Sequence, residues 1–246
     1  KDKEQAAGAE ERRRLSYYTA GFLRQRRVRR ILELSGYDLT LGRAKAEGLV
    51  AVWGRSPYAA RGEKAAKRAG AKLLRVEDAF LRSLQAGRAG EPPLGLMLDD
   101  IGVYFDASAP SRLEQILAHD PLDNTDELKR AHAGIARIKE AQLSKYASYD
   151  LETPCPEAGY VLVIDQTRKD ASVTYGNADA NTFKEMLYYA QEDNPGARIV
   201  IKTHPETRAG HRQGYFSQSD ASETITVLDS PVSPYALLEG AVAVYT

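Results

Sequence analysis

VLVIDQTRKDASVTYG, residues Val161 to Gly176, is the stretch whose reading decides the fold. It opens on four apolar residues, of which Val161, Val163 and Ile164 are β-branched. A short run of that kind reads as a strand buried on both faces, the habit of a parallel sheet. It breaks at Asp165 and runs through Gln166, Thr167, Arg168, Lys169 and Asp170, with Ser172, Thr174, Tyr175 and Gly176 behind. Open α/β sheets hold ligands at the carboxyl ends of their strands, so this exit is a site candidate. The competing reading is that Asp165 or Thr167 merely caps the next helix.

Working outward, the same rhythm recurs. On the carboxyl side the pattern predicts a helix over Ala180–Gln191, strands at Arg198–Lys202 and Ile225–Leu228, a short helix at Tyr235–Glu239 and a strand at Ala241–Tyr245. On the amino side, Leu49–Gly54 and Lys72–Val76 read as strands around a helix at Lys64–Ala69 that Gly70 stops, a βαβ unit. The flanking segments read as a short strand and loop at Ser16–Gly21, a helix at Phe22–Leu34 ended by Gly36, and a loop at Phe80–Gly95. Leu96–Leu98 reads as a strand with Gly102–Asp106 as its hairpin partner. Helices follow from Ser111, with Glu114 at capping-box spacing, and over Thr125–Leu143. The expected fold class is α/β, with two Rossmann-like parallel-sheet domains facing a crevice. Residues 1–14 read as disordered or an extension, 15–150 as the first domain and 151–246 as the second, with the boundary in the Pro154- and Pro156-bearing linker at Ser144–Pro156. The chain stops on a strand without a covering helix, so the second domain reads as incomplete.

The bulk numbers narrow the class. Hydrophobic residues are 43% and charged residues 28%, values of a globular chain, and 34 basic residues balance 34 acidic ones. The single cysteine, Cys155, excludes an internal disulfide and a cysteine metal cluster. No apolar run approaches the ~18 residues of a membrane span, and no signal peptide is visible. Basic charge is concentrated locally, at Arg12, Arg13, Arg14, Arg24, Arg26, Arg27, Arg29 and Arg30. Such a segment attracts anionic lipid or a phosphorylated substrate, or is a solvated helix face. Few aromatics interleave with it, so no nucleic-acid partner is expected.

Strand exits carry the polar clusters: Arg75, Glu77 and Asp78 with Arg82 and Ser83; Asp99 and Asp100 with Asp106; Asp165 to Asp170; and Lys202, His204 and Glu206. No Gly-rich phosphate loop is present. No metal set can be assembled from local spacing, and Asp99–Asp100 is the weak exception.

These stretches together resemble a known family. AVWGRSPYA (Ala51–Ala59), RVEDAFLRSL (Arg75–Leu84), GEPPLGLMLDDIGVYFDAS (Gly90–Ser108), LSKY (Leu143–Tyr146), VLVIDQTRKDASVTYGNA (Val161–Ala178) and IKTHPE (Ile201–Glu206) are similar, in order, to the capsule polysaccharide β-Kdo transferases of the KpsC type. The opening GFLRQRRVRRILELSGYDLTLG looks most like the start of an amino-terminal module of that family. The resemblance implies a retaining, GT-B-like glycosyltransferase. Its donor would be CMP-β-Kdo, with no other cofactor. Its acceptor would be a Kdo-bearing linker on a phosphatidylglycerol or lysophosphatidylglycerol lipid, at the cytoplasmic face of the inner membrane of a Gram-negative cell, with capsule assembly proteins as further partners. The family's two modules make 2,4 and 2,7 linkages, and the family continues beyond AVAVYT with further nucleotide contacts.

The resemblance places the nucleophile on Asp170 and the acid/base on Glu77, with Asp78 as rival. Retention through a covalent intermediate asks for two such carboxyl groups. Lys202 and His204, two apart at one strand exit, suit the donor's carboxylate or phosphate, with Gln166, Arg82 and Ser83 as further donor contacts. Asp165, Asp100, Arg75 and Tyr175 are secondary candidates. A monophosphate leaving group lessens the need for a metal, and none is expected. Two other classes stay open: a different GT-B transferase using a CMP-sugar, and a non-catalytic module that binds glycolipid through the arginine segment.

Overall fold

The computed structural model describes residues 12–85 and 87–246. The expected extension at 1–11 lies outside them. The described chain forms two compact α/β units.

The first unit runs through Ser83 and includes Gly90–Tyr104 and Ala109–Asp120. Its elements are β1 (Arg13–Tyr17), α1 (Ala20–Arg24), α2 (Arg26–Leu34), β2 (Tyr37–Leu41), β3 (Leu49–Trp53), α3 (Ala59–Ala69), β4 (Lys72–Asp78), β5 (Leu96–Asp99) and α4 (Arg112–His119). The sheet order is β2-β1-β3-β4-β5. The first four strands are parallel, and β5 runs antiparallel to β4 with Met97 opposite Glu77. Alternate residues of β3 feed opposite faces. Leu49 and Ala51 join Leu15, Phe22, Val28, Leu32 and Val76 on one side, while Val50 and Val52 meet Ala59 and Ala66 of α3 on the other. Such two-sided burial is what makes a parallel strand uniformly apolar. Each fully buried Val or Leu contributes about 1.5–3 kcal/mol.

The second unit comprises Leu84–Ala89, Phe105–Ser108 and Pro121–Thr246. It holds α5 (Thr125–Glu140), β6 (Tyr160–Ile164), α6 (Ala171–Tyr175), α7 (Ala180–Glu192), β7 (Ile199–Lys202), α8 (Pro205–Arg208), β8 (Ile225–Leu228), α9 (Pro234–Gly240) and β9 (Ala241–Tyr245). All four strands are parallel, in the order β8-β7-β6-β9. Val161, Val163, Ile199, Ile201 and Val227 pack with Ala190 of α7 on one face. Tyr160, Leu162 and Val200 pack with Leu237 of α9 on the other. Both units are thus Rossmann-like.

Several expectations need correction. Arg13 and Arg14, assigned to an extension, pair in β1, because ladder hydrogen bonds come from the backbone and ask nothing of the side chain; Arg13 also lies over the Tyr37 ring. The single helix expected at Phe22–Leu34 is broken at Gln25 into α1 and α2. Gly102–Asp106 is not the hairpin partner of β5. Asp99 accepts from the amides of Ile101 and Gly102, which turns the chain away, and β4 takes the pairing instead. The continuous main stretch of the second unit runs from Pro121 rather than from near 150, so α5 goes with it. Ser233 Oγ donates to Gln142 Oε1 and Tyr235 OH to Leu143 O, which ties the end of α5 to α9.

Candidate functional site

Each unit gathers polar side chains where its strands end. In the second unit the buried run of β6 delivers Asp165, only 2% exposed, into a nest of amides. Its Oδ1 accepts from Gln166 N at 2.8 Å and Tyr215 N at 3.0 Å, and its Oδ2 from Phe216 N at 3.4 Å. Burial pushes its carboxyl up, against the pull of these amides. Gln166 turns its Oε1 back to Thr167 N. Arg168 then donates to Gly214 O and lies over the Tyr215 ring, which stacks on Phe183 at 3.9 Å. The loop is therefore sewn to residues 213–216 before it reaches Lys169, whose φ of 61° turns the chain.

Asp170 follows as the N-cap of α6. Its Oδ1 accepts from Ser172 N at 2.9 Å and Ser172 Oγ at 2.7 Å, and its Oδ2 lies 3.4 Å from Arg212 Nη1. Burial opposes the charge, but the Ser172 bonds with Arg212 and Lys145 outweigh it, and the carboxyl is held below its usual range. Asp170 keeps an open side, with its side chain 33% exposed.

At the exit of β7, His204 caps α8 and accepts from Glu206 N on Nδ1, which leaves Nε2 as the protonated nitrogen of the neutral ring. Burial holds it neutral to lower pH; Glu206 and Asp170 pull the other way. Lys202 is lowered to about 8 by burial and by Arg208, with Asp229 opposing. Both line a cleft of about 380 Å³ in this unit, together with Lys145, Arg208, Tyr149 and Leu237. Cations over an apolar floor suit a ligand that carries both an anion and an apolar face. Asp170 does not line the cleft, but its charge reaches His204, which does. Tyr175 is drawn elsewhere, with its carbonyl accepting from Ala107 N and its ring 6.5 Å from Phe105.

In the first unit, Glu77 and Asp78 end β4. Gly54 (φ 38°) passes so close that a Cβ there would sit 1.8 Å from Glu77 Oε1. Asp78 Oδ2 pairs with Arg82 Nε at 2.9 Å, and its Oδ1 is buried without a hydrogen-bond partner. Arg82 is itself buried and donates to Ser83 Oγ and Glu91 O. Arg75 turns to Gly54 O and to Glu63 of α3, at 2.9 Å. Asp99 accepts from Arg112 N besides the two amides named above, and Asp100 pairs with the Arg112 guanidinium, which lowers its carboxyl. Arg75, Arg82 and Asp99 thus serve the frame of their own unit.

The family model described as "Capsule polysaccharide biosynthesis protein" matches residues 49–154 and 135–246, most of the chain. The chain belongs to the capsule polysaccharide biosynthesis family. Capsule polysaccharide modification protein LipA of Neisseria meningitidis serogroup B is 36% identical over 91% of the chain and 33% of its own length. Lipopolysaccharide-processing protein LpsZ of Rhizobium meliloti is 34% identical over 71% of the chain and 41% of its own length. The chain thus spans between a third and two fifths of these relatives. Among solved structures, the β-Kdo 2,4 transferase of Thermosulfurimonas dismutans KpsC aligns with a TM-score of 0.85 at 30% identity, over 96% of the chain and 74% of that one. The 2,7 transferase of the same KpsC aligns at 0.57 with 23% identity, a likeness of fold alone. The family and the first of these structures are of the KpsC type that the motifs implied.

In this family member the structure brings Asp165, Gln166, Asp170, Lys202 and His204 into one cluster, and Arg75, Glu77, Asp78, Arg82 and Ser83 into another. The sequence reading did not single out Arg212, Lys145 or Arg208. Lys145 stood inside the quoted LSKY stretch and Arg208 four residues beyond His204, which is all the signal there was. Arg212 sits in a loop, 42 residues from the acid it faces.

Proposed function

We propose that the chain is a retaining glycosyltransferase that moves β-Kdo from CMP-β-Kdo to a Kdo-bearing glycolipid during capsule polysaccharide biosynthesis. The observation that carries the reading is Asp170, a carboxylate kept ionised by Ser172 on one oxygen and Arg212 on the other, partly open, whose charge reaches the His204–Lys202 cleft.

In the reaction, the Asp170 carboxylate attacks the anomeric carbon of Kdo. The bond from that carbon to the phosphate oxygen breaks, and CMP leaves with the electron pair. The acceptor hydroxyl then attacks the same carbon from the face that CMP vacated, Glu77 takes its proton, and the Asp170 ester breaks. Two inversions retain the configuration. Lys202 and His204 bind the donor's carboxylate and phosphate, and Asp165 holds the loop that carries Asp170. The two units take the donor and acceptor roles of a GT-B enzyme. The 30% identical 2,4 transferase favours the 2,4 linkage.

Among the described residues no helix is long and apolar enough to cross a membrane. Association with the inner face of the inner membrane is peripheral in this reading, through the exposed Arg26, Arg27 and Arg30 of α2.

The test supplies CMP-Kdo without acceptor and weighs the intact protein. An added Kdo mass that maps to the peptide of Asp170, absent from Asp170→Asn, is expected. An adduct on another residue, or full transfer by a folded Asp170→Ala chain, removes Asp170 from the role.

A further inference from the structure

Two stretches quoted for the family resemblance have no part in the chemistry above, yet they meet in space. GFLRQRRV supplies Gly21, Phe22, Arg24, Gln25 and Val28, and WGRSPY supplies Trp53, Ser56 and Tyr58, to one cavity of about 460 Å³ in the first unit. It lies beyond the carboxyl ends of β1 and β3, the side of the sheet where such folds take ligands.

Its walls are specific. Phe22 is buried and its ring stands 6.3 Å from that of Trp53, so the two form a fixed aromatic floor. Tyr58 stands at the rim, 77% exposed. Ser56 Oγ is buried with no hydrogen-bond partner, a cost that a ligand hydroxyl would relieve after a χ1 rotation. Arg24 adds a cation, and the residues lining the cavity include no carboxylate. Aromatic faces pack on the C–H side of a sugar ring, a hydroxyl and an amide read its polar edge, and a guanidinium selects a carboxylate.

We propose that this cavity binds an acidic sugar residue of the acceptor, with Tyr58 and Trp53 against the ring face and Arg24 on the carboxylate. The proposal rests on the transferase reading for the word acceptor, and on the cavity alone for the ligand class.

Trp53 is the only tryptophan of the chain, so its fluorescence reports this cavity directly. The experiment titrates the purified chain, without donor, with the methyl β-glycoside of Kdo and with methyl β-glucoside as the neutral control, and repeats both by calorimetry. A saturable Trp53 response and heat with the Kdo glycoside, and neither with the glucoside, are expected. Tyr58→Ala and Arg24→Ala should each weaken binding about tenfold; both side chains are exposed, and an unchanged melting temperature shows that the variants fold. Tyr58→Phe should bind nearly as the parent does. In acceptor assays the same two losses should appear as a raised KM. Equal response to the glucoside, no response by either method, response to an alkyl phosphate alone, or a Kdo response that survives Arg24→Ala and Tyr58→Ala but is lost in His204→Ala would overturn the proposal. Because donor is absent, a parent that binds here but transfers nothing sinks the reaction and leaves the cavity standing; a parent that transfers but shows no Trp53 binding does the reverse.

Discussion

Arg212 Nη1 lies 3.4 Å from Asp170 Oδ2 and 3.9 Å from Glu206 Oε2. One guanidinium thus joins the acid after β6 to the acid after β7. The same guanidinium donates to Arg168 O at 2.6 Å, so it also fixes the turn from which Asp170 projects. Arg212 is only 19% exposed in its side chain, which lessens screening of the pair by solvent.

Removing Arg212 should therefore act through Asp170. A nucleophilic carboxylate must be ionised, so transfer falls as pH drops through the Asp170 pKa. Arg212 is one of the groups that hold that pKa down. In Arg212→Ala the acid limb of kcat/KM should move to higher pH, and Arg212→Lys should keep part of the shift while losing the planar bond to Arg168 O. Identical acid limbs for the parent and Arg212→Ala would show that the contact is structural only.

The two aspartates of the DQTRKD loop should separate in their effects. Asp165→Asn turns an amide N–H₂ toward backbone donors and leaves a buried polar mismatch, at a cost of about 1–3 kcal/mol. Asp170→Asn keeps the cap on Ser172 N and should melt close to the parent while losing transfer. Thermal melts of both variants, alongside donor consumption, decide it; equal destabilisation by the two would contradict the division of roles.

Lys202 sets an alkaline limit. With its ammonium lowered to about 8, it is charged below that pH and neutral above it. If it binds the donor's anions, the donor KM should rise as pH climbs through about 8. Its effect on stability has the opposite sign. The folded pKa lies below the unfolded one, so the folded state binds fewer protons between them, and the Lys202 contribution grows with pH from about 8 towards 10.5. Lys202→Met should abolish both trends. A pH-independent KM in the parent would take Lys202 out of donor binding.

Gly54 should matter more to activity than to stability. An alanine Cβ would meet the Glu77 carboxylate, a movable side-chain end, and would hold a strained φ of 38°. Gly70 has a comparable positive φ of 67° with nothing within 4 Å of the added Cβ. Both substitutions should cost about 1 kcal/mol through the backbone. Only Gly54→Ala should displace Glu77 and depress transfer. Equal activity of the two variants would argue against Glu77 as the acid/base.

The reading of motifs from the chain went furthest where a local pattern has one physical solution. VLVI, AVAVY and IVIK are short, apolar and β-branched, and each is a parallel strand of the second unit. Ser111 with Glu114 formed the capping box that their spacing announces. It went wrong at Gly102–Asp106, where an apolar–aromatic run looked like a strand. Asp99 had already claimed the amides that would begin it. β2 was missed because YDLTL is only half buried, at the edge of its sheet, and carries little hydrophobic signal.

The sequence alone determined the parallel α/β class, the polar exits of the strands and the family, because burial on both faces and motif order are written residue by residue along the chain. It could not determine what each exit residue does once there. Arg75 and Arg82 read as ligands for anions, yet both are engaged by groups of their own unit, Glu63 and Asp78. Arg212, silent in the sequence, holds Asp170. Those outcomes depend on hydrogen bonds and ion pairs between residues up to 42 positions apart. Their energies fall off over a few ångströms, so only the folded chain, which sets those distances, decides them.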